Sequence, residues 1–166
     1  MKMIEAKELR LALGNFATGI TIVTTQDDRQ QPIGVTASSF NSVSLSPPLV
    51  LWSIAKSAYS YTSFAQAEHF AVHVLGADQA ALSDRFARAS TDKFAGLNAA
   101  TGLGDVPLLH GCLARFECAT EHRYDGGDHM IIVGRVLRLN LPDPQREPLV
   151  FFKGNYATLR GSNQAA

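Results

Sequence analysis

The sequence has few cysteines, no excess of either charge and no long apolar run. Its 166 residues include fifteen basic and fifteen acidic side chains, so the formal net charge is zero. Balanced charge argues against a nucleic-acid or membrane-surface partner, since both would need a basic patch. Apolar runs such as residues 130–133 are far shorter than the roughly 20 residues that span a bilayer. The N-terminal segment is amphipathic and of mixed charge, unlike a secretion signal, so a cytoplasmic location is expected.

The two cysteines, Cys112 and Cys118, lie six residues apart. On one strand their Cα atoms would be separated by about 20 Å, which is too far for a disulfide. Neither cysteine belongs to a second Cys pair or a His cluster of the kind that binds zinc, so no metal is expected. Both are predicted to be small core residues, as is usual in a reducing compartment.

Several familiar catalytic and nucleotide-binding motifs are absent from the sequence. It has no Walker loop, no G-x-G-x-x-G turn and no G-x-S-x-G hydrolase elbow. It also lacks a pair of carboxylates in apolar surroundings that would suit glycoside chemistry. His69 and His73 have the spacing of a helical metal site, but the alternation of apolar residues around them predicts a strand. What remains favours a protein whose cofactor performs the difficult chemistry.

The apolar periodicity predicts a mainly β (α+β) domain that occupies the whole chain, residues 1–166. Helices are predicted at 4–17, 57–67 and 77–89, with Gly14 ending the first and Ser57 and Asp78 as N-caps. Residues 90–111 are glycine-rich and lack periodicity, which predicts a long irregular segment. Closely spaced strands, one of them interrupted by Gly134, favour an antiparallel barrel. The predicted strands are residues 19–25, 33–38, 40–45, 49–54, 69–75, 112–122, 129–140 and 149–152.

Residues 34–64 form the most informative stretch. Four small residues, Thr36, Ala37, Ser38 and Ser39, follow a β-branched strand. Small side chains allow a flat ligand to reach the backbone, while hydroxyl and free N–H groups can bind its polar edge. The stretch ends in a Ser/Lys-bearing turn before a predicted helix, an arrangement that can bind an anion. The structural alternative is a strand pair followed by a capped helix.

Two further regions bring functional residue types together. His129 follows the sequence Gly-Gly-Asp at the mouth of a long predicted strand. An imidazole there could stack on a ring, donate a hydrogen bond or carry a proton. Lys153 and Tyr156 lie in a Lys-Gly-Asn-Tyr segment that could line a pocket. The structural alternatives are a turn histidine without a function, a lysine whose stem covers apolar surface, and a packed tyrosine.

Seven short motifs between about residue 16 and residue 156 occur in the order typical of one family. On these motifs the sequence resembles the flavin reductase family with the FMN-binding split-barrel fold, the small reductases that supply two-component flavin monooxygenases. The motifs are Phe16-Ala17-Thr18-Gly19; Thr36-Ala37-Ser38-Ser39-Phe40 through Pro47-Pro48-Leu49-Val50; Phe70-Ala71-Val72-His73-Val74-Leu75; Asp92-Lys93-Phe94; Phe116-Glu117-Cys118; Gly127-Asp128-His129 with Gly134; and Phe151-Phe152-Lys153-Gly154-Asn155-Tyr156.

The resemblance implies a Greek-key split β-barrel with a few flanking helices, and a homodimer with one flavin per subunit near the interface. It implies FMN or FAD as the flavin, NADH or NADPH as the hydride donor, and a separate flavin-dependent oxygenase as a partner. The activity would be NAD(P)H:flavin oxidoreduction. The open alternatives are a flavin-binding module without turnover, a split-barrel flavoprotein that holds FMN tightly and acts on another substrate, and a structural barrel without a ligand.

The resemblance also implies roles for individual residues. His129 would face the nicotinamide as the catalytic residue, and Phe94 would lie on a mobile cover. No arginine cluster for a 2′-phosphate is visible, which favours NADH. The implied flavin-binding residues are Thr36, Ala37, Ser38 and Ser39 at the ring edge; Ser53, Ile54, Ala55, Lys56, Ser57 and Ser60 on the phosphate side; and Phe94, Lys153 and Tyr156 around the flavin.

Overall fold

A computed structural model describes residues 3–142 and 146–159 of the chain. The mainly β class is confirmed, and each predicted strand has a counterpart. The strand His129–Asn140 has its predicted limits, and the ends of the others are moved by a few residues. The helices are α1 (Ala6–Leu13), α2 (Tyr61–Gln66) and α3 (Ala80–Ala87), with 3-10 turns at Ala77–Gln79 and Leu103–Asp105. The strands are β1 (Thr18–Gly19), β2 (Thr21–Gln26), β3 (Pro32–Ala37), β4 (Asn41–Leu45), β5 (Pro48–Ala55), β6 (His69–Val74), β7 (Ala100–Thr101), β8 (Pro107–Leu108), β9 (Ala114–Gly126), β10 (His129–Asn140), β11 (Val150–Phe152) and β12 (Asn155–Ala157).

The main sheet has seven antiparallel strands in the order β3-β2-β6-β9-β10-β5-β4. Its two edge strands are consecutive in the chain, since β3 ends at Ala37 and β4 begins at Asn41. Four residue steps span at most about 14 Å, whereas the edges of a flat sheet of this size would be about 29 Å apart. The sheet must therefore curl until its edges meet, which makes it a barrel with residues 38–40 at the join.

Aromatic side chains fill the barrel. Trp52 of β5 packs against Phe64 and Phe70, with ring centroids 4.9 and 6.2 Å away, and all three side chains are buried. A Cβ at position 134 would overlap the Phe70 ring and the Cys118 side chain, so glycine is required at this point of β10. The register between β9 and β10 shifts next to Gly134, which confirms the predicted bulge.

The helix predicted from Ser57 begins later in the chain. The backbone N–H of Lys56 donates to the carbonyl of Asp128, 2.9 Å away, and holds the chain in a turn after β5. The helix α2 begins at Tyr61, with Ser60 at the N-cap position. The prediction of Ser57 as the N-cap was wrong, because a tertiary hydrogen bond that the local pattern does not reveal shapes this segment.

The N-cap predicted for α3 was also wrong. Asp78 lies inside the 3-10 turn before the helix, and its carboxylate pairs with Arg146 at 2.5 Å. The side chain of Gln79 accepts the backbone N–H of Gly76 instead, at 2.9 Å. The first helix is shorter than predicted, although it ends at Gly14 as expected.

Short strands account for the remaining differences. Residues 90–111, predicted to be irregular, contain β7 and β8, which pair as a small two-stranded sheet. In a second small sheet, β11 lies between β1 and β12. The strand β9 continues to Gly126, so the turn before β10 is shorter than predicted. The strands β7, β8 and β12 have two or three residues each and carry no detectable alternation, which is why the sequence did not reveal them.

Three smaller predictions can be compared directly with the structure. Cys112 and Cys118 are free and buried, which confirms them as core residues. His69 and His73 lie on β6, which confirms the strand. No helix within residues 3–142 and 146–159 is long and apolar enough to cross a membrane.

Candidate functional site

An outward-facing strip of β5 and β10 forms the floor of a cleft. Alternate residues of β5 are buried, which leaves Ser53 and Ala55 on the outer face. In the register of the two strands, His129 lies opposite Ala55 and Ile131 lies opposite Ser53. Opposed residues project from the same face of a sheet, so the imidazole shares this face with small side chains.

The cleft has a volume of about 550 Å³. His129 lies opposite Gly126 on one side and Ala55 on the other, and these small neighbours leave open space around its ring. The join between β3 and β4 forms the opposite wall. The described residues that line the cleft are Val35, Thr36, Ala37, Ser38, Ser39, Trp52, Ser53, Ile54, Ala55, Ala58, Gly126, His129 and Ile131.

The three hydroxyl groups at the join of the barrel differ in their availability to a ligand. Thr36 Oγ1 donates to the carbonyl of Ser83 at 2.6 Å. Ser39 Oγ donates to the carbonyl of Ser53 at 3.0 Å and accepts from the amide of Ser53 at 2.9 Å. The Ser38 hydroxyl is exposed and has no partner among the described residues. Because a hydroxyl has one hydrogen to donate, Ser38 is the member of this set that retains a donor for a ligand.

A second cavity, of about 360 Å³, adjoins the first. Gly34 of the second cavity precedes Val35 of the first, and Tyr59 of the second follows Ala58 of the first. The two cavities are therefore bordered by consecutive residues of two separate chain segments. The described residues that line the second cavity are Asp27, Gln31, Pro32, Ile33, Gly34, Tyr59, Ser60, Ser90, Thr91, Asp92, Lys93, Phe94 and Ala95.

Lys93 places a buried ammonium group beside the second cavity. Its side chain is 8% exposed and donates to the carbonyls of Gly34 at 3.0 Å and Phe86 at 2.8 Å. Burial lowers the pKa of Lys93. An ammonium group has three N–H bonds, so one remains for an anionic ligand. The neighbouring Phe94 packs edge-on against Phe86, with ring centroids 5.0 Å apart, and so fixes this segment over β3.

Charged groups hold the turn that carries His129. Lys56 Nζ pairs with Asp125 at 2.6 Å, and the same carboxylate oxygen accepts from the amide of Gly127 at 3.1 Å. The Nδ1 atom of His129 is 2.7 Å from Asp128 Oδ1. The hydrogen bond to Lys56 lowers the pKa of Asp125, and the hydrogen bond to His129 lowers the pKa of Asp128. Both carboxylates are therefore ionised at neutral pH.

The structure brings most of the predicted site residues together. Ser60 and Phe94 line the second cavity. The first cleft is lined by Thr36, Ala37, Ser38, Ser39, Ser53, Ile54, Ala55 and His129.

Four predicted residues line neither cavity. Lys56 and Ser57 lie in the turn after β5, where Lys56 pairs with Asp125. Lys153 borders α1, and its amide donates to the carbonyl of Gly14 at 2.9 Å. The Tyr156 hydroxyl lies 2.7 Å from Asp84 and 2.8 Å from Ser83. The ligand-binding roles of these four residues stay predictions.

Sequence reasoning missed Lys93, Gly126 and Ile131 as lining residues. Lys93 lies in the Asp92-Lys93-Phe94 motif, but nothing in the local sequence shows that its ammonium group is buried. Gly126 and Ile131 enter the cleft through the register of β9 and β10. Alternation from His129 predicts that Ile131 shares its face, so that signal was available. Within the two described ranges, no group of three or more His, Cys, Asp or Glu side chains could hold a metal ion.

Comparison with known proteins identifies related sequences. The family described as Flavin reductase like domain matches residues 13–160. An FMN reductase (NADH) from Agrobacterium fabrum is 48% identical over 151 residues, which cover 91% of this chain and 84% of the relative. The reductase component of a flavin-dependent trigonelline monooxygenase from Acinetobacter baylyi is 45% identical over 152 residues. That match covers 92% of this chain but 48% of the relative, so the chain spans about half of that protein.

A solved structure shows the same fold. The NADH:FAD oxidoreductase of Streptomyces globisporus, determined in complex with NAD and FAD fragments, superposes with a TM-score of 0.89 at 36% identity. The match covers 99% of this chain and 100% of the solved chain. It therefore includes the barrel, the cleft and the turn that carries His129.

Proposed function

The chain belongs to the flavin reductase family that its residues 13–160 match, and on that premise we propose that it is an NAD(P)H:flavin oxidoreductase. In this proposal it transfers a hydride from NADH or NADPH to FMN or FAD, and a partner flavin-dependent monooxygenase uses the reduced flavin. The observation that carries the proposal is the cleft of about 550 Å³, with a floor of small side chains and His129 at its edge. The enzyme relatives from Agrobacterium fabrum and Streptomyces globisporus support the same reaction class.

The residues present fit a flavin ring. Ser53 and Ala55 provide a low floor, Ile131 an apolar contact and Ser38 a free donor at the edge. In the second cavity, the Ser60 side chain and the remaining N–H of Lys93 suit a phosphate. Both FMN and FAD carry a phosphate, so these contacts suit either flavin.

Each side chain has a definite task in the reaction. A bound flavin supplies the electron-accepting ring that takes the hydride from C4 of the nicotinamide. Ser38 and the backbone N–H groups beside it stabilise the negative charge that develops at the ring edge. Ala55 and Ile131 exclude water from the covered face. His129 contacts the nicotinamide from the rim and orients it, which reduces the entropy lost on reaching the reactive geometry.

NADH is the preferred donor in this proposal. None of the described residues that line the first cleft is arginine or lysine, so a 2′-phosphate would lack a cationic partner there. The relatives named as NADH enzymes support the same choice. Two free, buried cysteines suit a reducing compartment and support a cytoplasmic location.

We also propose a homodimer. No residue of α1 is buried within the protomer, and Leu9, Leu13 and Phe16 are exposed, Phe16 by 76%. These three positions follow one face of the helix and its continuation. An apolar helical face of this kind is stable in water when a second copy of the chain covers it.

Nicotinamide oxidation, followed by absorbance, tests the function. The purified chain is given NADH or NADPH together with FMN, FAD or riboflavin in every pairing, and flavin binding is measured separately by fluorescence quenching. We expect turnover that requires added flavin and favours NADH. Flavin binding without turnover would instead establish a binding module, turnover of another substrate by tightly held flavin would establish a different flavoprotein, and absence of binding would establish a structural barrel.

A further inference from the structure

We propose that Asp128 is a positioning residue that holds the imidazole of His129 in one tautomer and orientation. The inference rests on the proposed function and deepens it. The observation is the contact of 2.7 Å between Asp128 Oδ1 and His129 Nδ1. The carboxylate acts on the reaction only through the histidine, because Asp128 is absent from the residues that line the cleft.

The contact determines which nitrogen carries the proton in the neutral ring. An ionised carboxylate accepts and cannot donate, so the hydrogen lies on Nδ1 and points to Asp128. The Nε2 atom has no partner among the described residues. It is left as an acceptor for a ligand, and the carboxamide N–H of a nicotinamide is a donor of matching chemistry.

The backbone around Asp128 is restrained on both sides. Its carbonyl accepts the amide of Lys56 at 2.9 Å, which ties the turn to the end of β5. The preceding Gly127 has a φ of +79°, a conformation that glycine adopts without strain. The Asp128 side chain is 94% exposed, so the carboxylate is not needed for packing, and its replacement leaves the turn intact.

The other charged groups beside the pair are few. Lys56, in the turn after β5, and Asp125 of β9 lie beside this turn and neutralise one another at 2.6 Å. The residues opposite His129 are Ala55 and Gly126, which carry no charge. Among the described neighbours, Asp128 is therefore the group that directs the imidazole.

Nitrogen-15 NMR of the histidine rings tests the tautomer directly. Spectra are taken without ligand, at a pH where the rings are neutral, and His129 is assigned by comparison with His129→Ala. We expect the Nδ1–H form to dominate in the unsubstituted protein and to lose its dominance in Asp128→Ala. Asp128→Asn keeps an acceptor without the charge, so it should fall between the two. An unchanged tautomer ratio in Asp128→Ala would overturn the proposal.

Kinetics test whether the effect passes through the histidine. Asp128→Ala should raise the KM for NADH roughly three- to tenfold, as expected for one misdirected hydrogen bond, with little change in kcat or flavin affinity. In a His129→Ala background the same substitution should have no further effect. A full additional rise in KM in that background would contradict a role through His129.

A matched control, and a measurement that does not depend on activity, keep the two proposals separate. Asp28→Ala removes an exposed carboxylate from the β2–β3 turn and should leave KM and tautomer unchanged. The NMR measurement needs no turnover. An inactive protein would therefore refute the proposed reductase activity, while the tautomer result would still decide the role of Asp128 toward His129.

Discussion

The side chain of Ser39 makes the hydrogen bonds to Ser53 that its backbone would make if the pairing of β4 with β5 continued. The register of β4 and β5 pairs Asn41 with Leu51, so residue 39 would next lie opposite Ser53. At that point the chain turns toward β3, and the Ser39 hydroxyl makes both hydrogen bonds of the missing pair, at 2.9 and 3.0 Å. One side chain thus closes the barrel at the wall of the cleft.

Replacement of this hydroxyl should separate stability from ligand binding. Ser39→Ala leaves the amide and carbonyl of Ser53 without a protein partner, and we expect the free energy of unfolding to fall by about 1 kcal/mol. Ser38→Ala is the matched control, since its hydroxyl is free. That variant should retain its stability and bind flavin roughly fivefold more weakly. Denaturant unfolding and flavin fluorescence titration measure the two effects, and equal loss of stability in both variants would contradict the closure role.

Lys93 should distinguish flavins that carry a phosphate from one that does not. Lys93→Met removes the ammonium group beside the second cavity but keeps most of the side-chain volume. We expect FMN affinity to fall roughly ten- to a hundredfold, the range for a hydrogen bond to a charged group, and to become less dependent on salt.

Riboflavin is the matched ligand for the Lys93 experiment because it has the same ring and no phosphate. Its affinity for Lys93→Met should stay close to that of the unsubstituted protein. If riboflavin and FMN weaken equally, the substitution has disturbed the ring site, and the assignment of Lys93 to the phosphate fails.

Lys56 was expected to bind the flavin phosphate, yet its ammonium group pairs with Asp125 outside both cavities. Because both groups are exposed to solvent, the pair contributes little to stability. We therefore expect Lys56→Ala and Asp125→Ala to act alike, each with a small rise in the KM for NADH through the turn that carries His129. Flavin titrations distinguish this role of Lys56 in the turn from a role in binding the phosphate. Weaker flavin binding in Lys56→Ala alone would return Lys56 to the phosphate site.

The buried His73 should make stability depend on pH. Its Nδ1 donates to the carbonyl of Ile22 at 3.0 Å, and its Nε2 accepts from the amide of Leu109 at 3.1 Å. Burial lowers the pKa of His73 from 6.5 to about 4. In the unfolded chain His73 takes up a proton near pH 6.5, whereas in the folded protein it does so only near pH 4. The stability present above pH 6.5 is thus lost as the pH falls toward 4, by about 3 kcal/mol.

Urea unfolding across this pH range checks the His73 effect. In His73→Gln the amide side chain can donate and accept as the imidazole does but does not titrate, so the slope of stability against pH should become shallower. His110→Ala, at an exposed histidine, should keep the original slope. An unchanged slope in His73→Gln would show that other groups cause the acid sensitivity.

The dimer proposal is tested on the exposed face of α1. Leu13→Glu places a charge within that face and should convert the dimer to a monomer in light scattering. Lys7→Gln produces the same change in net charge on another face of the helix and should stay dimeric. A monomeric unsubstituted protein, or a dimeric Leu13→Glu, would contradict the role of this face.

Much of the fold was predictable because its signals are local. The β10 strand was predicted with its observed limits, since apolar alternation and β-branched residues extend throughout His129–Asn140. The glycine of its bulge was visible as an interruption in that pattern. The start of α2 could not be predicted from the sequence, because the hydrogen bond between the Lys56 amide and the Asp128 carbonyl joins distant segments. A propensity that acts over a few residues cannot anticipate such a contact.

The candidate site shows the same difference between features set by the local sequence and features set by tertiary contacts. The sequence by itself determined that four small residues, Thr36, Ala37, Ser38 and Ser39, follow a strand, because residue size and β-branching act within the local chain. Only the tertiary structure decided which hydroxyl remains free. Thr36 bonds to Ser83 and Ser39 to Ser53, while Ser38 keeps its donor. A hydroxyl has a single hydrogen to donate, and its partner is a backbone group that folding brings from elsewhere in the chain.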